Sequence, residues 1–167
     1  MTQQVKTMYD FHTWANKTML NRLKELPPEV YTQEVQSVFP TVERVMTHIY
    51  TVDQNWLHIM SGMDMREAMS HVGEIEKQLE NKTVEEIEGK YAELAERFQA
   101  FLDGQEDLEK RIVVDNPYAE VKEISLTEMV LQVVNHGTYH RGNVTAMLRQ
   151  MGHASVMTEY AAYWYWR

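Results

Sequence analysis

Cysteine is missing altogether from this chain of 167 residues. That excludes disulfides, thiolate metal ligands and a nucleophilic protein thiol, so any thiol chemistry needs a thiol brought in from outside. The absence is compatible with a reducing compartment, and a cytoplasmic location is the expectation. Long apolar runs are missing too. Nothing approaches the roughly 18 consecutive apolar residues of a membrane span, and no membrane partner is expected. The opening residues, MTQQVKTMYDFHTW, lack the basic start and apolar core of a secretory signal. Basic residues are scarce: 16 Lys and Arg stand against 25 Asp and Glu, a net charge of -9. No Lys/Arg run concentrates what positive charge there is. Such a chain repels phosphate backbones, and nucleic-acid binding is not expected.

What is present organises itself around one stretch, Ser125 to Met151. Ser125 followed by Glu128 is a capping-box pattern, and Gly152 supplies a stop. Between them Leu126, Met129, Val130, Val133, Val144, Met147 and Leu148 recur at helical spacing. This predicts an amphipathic helix about 40 Å long. His136 and His140 lie four residues apart on its apolar stripe, and Gly137 and Gly142 sit inside it. Each glycine costs roughly 1 kcal/mol relative to Ala in a helix, which calls for a reason. Neutral imidazoles at i and i+4 can aim two nitrogens at one cation, and glycine admits a close neighbour. Taken alone, an H-x-x-x-H pair reads more readily as two hydrogen-bonded core histidines, and a third ligand changes that balance.

The rest of the chain supplies further helices. Thr2 to Leu26 carries a stripe including Val5, Met8, Met19 and Leu23, ended by Pro27-Pro28. His12 lies on or beside this stripe and reads as a packed or rim histidine. Glu29 to Phe39 reads as a polar connection. A second long helix starts near Thr41 and runs to Ser61-Gly62, with His48 amid its apolar face and His58 on a more polar side. Residues 62 to 82 lack strong periodicity and read as a long link that includes a short helix. At about 20 residues the link can carry the chain across one end of a bundle, so the next helix need not reverse direction. Thr83 with Glu86 is another capping box, opening a helix with a charged outer face. Asp115-Asn116-Pro117 between Ile112-Val113-Val114 and Val121 suggests a small hairpin or an extended loop. The aromatic tail, Tyr160 to Trp166, is expected either to fold back or to fill a dimer contact.

Four strong helical segments predict a single domain, residues 1–167, of all-α class, built as a four-helix bundle. Facing helices of a bundle meet at its axis. His48, His136 and His140 then form a three-imidazole site with one or more positions left open. Burial keeps imidazoles neutral, the form that binds metal.

With these residues in view the sequence resembles the DinB family of the DinB/YfiT-like metalloprotein superfamily. The resemblance rests on Tyr9, Trp14, Ala15 and Asn16, on Thr47-His48-Ile49, and on His136-Gly-Thr-Tyr-His140-Arg141-Gly142-Asn143. It covers nearly the whole chain, apart from residues 112 to 124 and the aromatic tail. It implies a bundle in up-down-down-up order, often dimeric, with the family's metal-binding triad at His48, His136 and His140. Characterised superfamily relatives include mycothiol-dependent maleylpyruvate isomerase and bacillithiol transferases, in which the metal activates a low-molecular-weight thiol. The expectation is therefore a divalent-metal protein, with zinc or nickel, acting as a thiol-dependent transferase or hydrolase on a small-molecule substrate. The alternatives are a non-catalytic metal-binding stress-response protein and a metal-free bundle with buried histidines. The residue after His136 is Gly137, so this is not the H-E-x-x-H pattern and no general base comes with the motif.

Overall fold

The computed structural model describes residues 2–167. Four long helices dominate it: α1 (Thr2–Lys24), α3 (Val42–Met60), α6 (Val84–Asp103) and α7 (Leu126–Gln150). Short elements join them. The segment expected to be a polar connection contains a single helical turn, α2 (Glu29–Thr32), because Val30 and Tyr31 find apolar cover. The long link folds into α4 (Met65–Ser70) and α5 (Val72–Leu79), which bury Ala68, Ile75 and Leu79.

The capping residues do what their spacing predicts. Thr83 and Ser125 each accept a hydrogen bond from the backbone N–H three residues on, and Glu86 and Glu128 reach back to the cap. Thr41 caps α3 by accepting from the Arg44 N–H. Each such cap contributes on the order of 1 kcal/mol.

Residues 111–125 form the hairpin rather than a loop. Strands β1 (Arg111–Val114) and β2 (Lys122–Ser125) pair antiparallel, with Arg111 opposite Ser125 and Val114 opposite Lys122. Ser125 is both the last residue of β2 and the cap of α7. The Leu126 and Thr127 N–H groups continue the pairing by donating to the Lys110 and Leu108 carbonyls. The hairpin therefore sets where α7 begins, and with it the height at which His136 and His140 sit.

Helix α7 packs on both α1 and α3, and α1 packs on α6. Lys6 pairs with Asp103 and Lys24 with Glu88 across α1 and α6, so these two helices run in opposite directions. Phe98 stacks on Tyr9 with ring centroids 4.0 Å apart in the same interface. Fully buried Met19, Leu20, Met46, Ile49, Leu94 and Leu126 fill the common core.

The tail divides its rings between two tasks. In α8 (Tyr160–Trp166), Tyr163 is buried against Trp14, and Tyr160 meets Phe11 edge-on. Trp164, Tyr165 and Trp166 remain exposed. Among the described residues no helix is long and apolar enough to cross a membrane.

Candidate metal centre

The three histidines expected to meet do meet. One ring nitrogen from each of His48, His136 and His140 lies within 4.8 Å of the other two. His136 Nε2 and His48 Nε2 are 3.1 Å apart. Two nitrogens sharing a tetrahedral ion at about 2.05 Å would be separated by about 3.3 Å, so this pair fits one cation. The ring centroids are 4.4 to 4.9 Å apart, and the rings are steeply inclined to one another, not stacked. His140 is oriented by a neighbour one turn on. Its Nδ1 is 3.0 Å from Asn143 Oδ1, an acceptor, so Nδ1 carries the hydrogen and Nε2 is left with its lone pair. Phe39, from the segment before α3, lays its ring 5.1 Å from that of His48 and 5.4 Å from that of His140.

The environment holds all three rings neutral. Burial pushes His136 down to about 3, with the neighbouring His140, His48 and His12 adding to the effect. Burial also lowers His48, helped by His140. In His140 burial again leads, partly opposed by the Asn143 hydrogen bond. The neutral, ligand-competent form of each ring therefore persists below the ordinary histidine range, furthest for His136. The sign for stability follows from linkage. In chelator-treated protein the unfolded chain binds more protons than the native one from the ordinary pKa of roughly 6.5 down to about 3. Stability is expected to be full above that window and to fall by on the order of 2–3 kcal/mol as pH drops through it, after discounting for solvent screening. Urea unfolding between pH 7 and pH 4 measures this.

Asn143 had no assigned role in the sequence, although its i+3 spacing from His140 was a usable signal. Replacing Asn143 by Ala is expected to weaken metal affinity roughly 10–100-fold while the fold persists, read by competition with a chromogenic chelator.

Gly137 has a structural reason. A Cβ there would stand 2.3 Å from His12 Cε1, 2.7 Å from His12 Nδ1 and 2.9 Å from Arg141 Nη1. The close neighbour it admits is thus the α1 histidine. His12 cannot swing aside, because its Nε2 is 2.7 Å from Asp53 Oδ2 in the core. Gly142 differs: nothing lies within 4 Å of an added Cβ, and the residue is exposed. Its presence in α7 has no explanation in the packing. Gly137→Ala is expected to destabilise by about 2 kcal/mol through overpacking, and Gly142→Ala to stabilise by about 0.5–1 kcal/mol. Paired denaturation curves of the two variants test the contrast.

The other candidate positions fall elsewhere. His12 is a packed histidine outside the triad, 1% exposed. His58, expected to touch only solvent, is half-buried, with its Nδ1 enclosed and without a partner. Arg141 turns away from the triad into the core, and Tyr139 is exposed.

A mostly helical chain that gathers three imidazoles from two helices into one cluster is a small protein with a histidine site able to hold a metal ion. The chain belongs to the DinB family, whose model matches residues 1–167. It is 44% identical over 156 residues to Protein DinB of Bacillus subtilis (strain 168), covering 93% of this chain and 91% of that protein. The crystal structure of a DinB-like protein from Bacillus subtilis superposes with a TM-score of 0.64 at 15% identity, covering 90% of this chain and 96% of that one. At that identity the likeness speaks for the all-α fold alone.

Proposed function

We propose that this protein is a metal-dependent enzyme of the thiol S-transferase or hydrolase type, holding zinc or nickel at His48, His136 and His140. The observation that carries the reading is the convergence of three neutral imidazoles from α3 and α7, one of them fixed in tautomer by Asn143. When bound, a divalent ion at such a site supplies Lewis acidity that lowers the pKa of a thiol or water toward neutrality. The chain's own groups do the rest. Asn143 orients His140, Phe39 shields one side of the cluster from water, and burial keeps protons off the ligand nitrogens. A low-molecular-weight thiol suits a protein without cysteine of its own.

The four long helices are read as a bundle in up-down-down-up order. The Lys6–Asp103 and Lys24–Glu88 pairs support opposed α1 and α6, and the two short helices between α3 and α6 give length enough to cross one end. A cytoplasmic homodimer that binds neither nucleic acid nor membrane is part of the same proposal. The acidic surface supports the exclusion of nucleic acid, and the exposed Trp164 to Trp166 edge of α8 is a candidate for the dimer contact.

A non-catalytic, stress-response metal protein is the second reading, favoured by the Phe39 ring over His48 and His140. One experiment separates the two. Metal-loaded protein is incubated with a thiol and an alkylating or aryl electrophile, and the rate is compared with that of His48→Ala. A thiol-dependent rate at least about tenfold above the variant supports the enzyme. Equal rates from a protein that retains stoichiometric metal support the second reading.

A further inference from the structure

A buried polar network outside the triad adjoins Gly137. Arg141 Nη1 donates to Asn16 Oδ1 at 2.8 Å and approaches His12 Nδ1 at 3.4 Å. His12 Nε2 lies 2.7 Å from Asp53 Oδ2 and 2.9 Å from the Asn16 amide nitrogen, so the carboxylate and the amide share this ring nitrogen. Asp53 is 3% exposed, and its second oxygen, Oδ1, has no hydrogen-bond partner at all. A buried carboxylate oxygen without a donor is costly and calls for an occupant.

Asp53 and His12 lie at the floor of a cleft of about 510 Å³ between α1 and α6. That volume is in the range of small-molecule sites. The α6 wall is kept low by Gly89, Ala92 and Ala95, and a Cβ at Gly89 would meet nothing within 4 Å. Leu20 and Leu94 supply apolar lining deeper down. Glu85, Glu88 and Glu96 also line the cleft, against Lys17 alone, and Glu88 is already paired with Lys24. Burial first, then the Asp53 charge, raises the hydroxyls of Tyr9 and Tyr91 well above their ordinary value.

We propose that the α1–α6 cleft is a ligand site separate from the histidine triad, and that it takes a small organic cation, a primary ammonium on a short apolar body that donates to Asp53. The ammonium supplies the missing donor for Asp53 Oδ1, and the leucines cover the body. The histidine triad has no part in this contact.

The test is a titration of the protein with benzylammonium, using benzyl alcohol as the uncharged comparator, followed by amide chemical shifts. Saturable shifts at Thr13, Gly89 and Ala92, with benzylammonium bound about tenfold or more tightly than the alcohol, support the site. Asp53→Asn is expected to reduce that preference to under about threefold. Gly89→Leu, which fills the cleft mouth from an exposed position, is expected to abolish binding of both compounds. It keeps the test decisive where Asp53→Asn fails to fold. His48→Ala is expected to leave the titration unchanged. Equal affinities for the two compounds, shifts scattered over the acidic surface, or undiminished binding in Gly89→Leu would each overturn the proposal.

Discussion

His136→Ala is expected to lose its metal. A structural zinc site supplies roughly 10–16 kcal/mol over four ligands, or about 3 kcal/mol for each, and 3 kcal/mol is more than a hundredfold in affinity. His136 is the best placed of the three to show this. It is the ring most strongly held neutral, and its Nε2 faces the His48 Nε2 at 3.1 Å. Metal per chain, measured by atomic emission after gel filtration in the absence of any affinity tag, is expected to drop from about one to near zero. Thermal stability provides the second reading. A ligand at about a hundred times its Kd adds about 2.7 kcal/mol to the native state, so zinc or nickel should raise the melting temperature of the parent protein and leave the variant unmoved. The variant also lacks the proton-linked penalty of a buried ring. Its metal-free form is therefore expected to be less sensitive to pH between about 6.5 and 3 than the metal-free parent. Parent protein whose melting temperature is indifferent to both metal and chelator would return the cluster to the status of packed core histidines.

The triad was legible in the sequence because two independent signals agreed. The i, i+4 spacing put His136 and His140 on one face, and the stripe around His48 put that ring on the inward side of a different helix. The helix starts were legible for a similar reason: a capping box needs only residues three apart, so Thr83 with Glu86 and Ser125 with Glu128 carry their geometry locally. What stayed hidden depends on pairings between distant segments. Asp53 sits one residue from apolar Val52, and nothing near it in the chain announces that His12, 41 positions earlier, will be its partner. Nothing beside Arg141 in the sequence places it in the core, yet it is 1% exposed, because its guanidinium finds Asn16 and Thr138 there. The two glycines of α7 looked alike in the sequence. Only the position of the His12 ring separates the required one from the optional one. The short helices α2, α4 and α5 are too brief for a period of 3.6 to show, and they exist because Val30, Ala68 and Ile75 have a core to cover.

Arg141→Met is expected to cost about 3–5 kcal/mol, the largest effect on stability of any single change considered. Met keeps much of the arginine stem's apolar bulk, so the loss is that of the charged end. Burial pushes the guanidinium down to about 10, which leaves it charged at neutral pH and makes it the positive group closest to the His12–Asp53 pair. It also holds the Asn16 amide in one orientation by donating to Oδ1, and it donates to Thr138 Oγ1 at 2.9 Å, which in turn donates to the Val134 carbonyl. Removing it leaves a buried carboxylate without compensation and two acceptors without a donor. Arg141→Lys would restore the charge without the fork that serves two acceptors at once, and its cost should fall between those of parent and Met variant. The decisive comparison is the double variant Arg141→Met with Asp53→Asn. If the charge on Asp53 is what Arg141 offsets, the two losses should not add, and a coupling of about 1–3 kcal/mol should appear in urea unfolding. Additive losses, or a cost below about 1 kcal/mol for Arg141→Met alone, would mean that Arg141 does not offset Asp53 and that the network needs no positive centre.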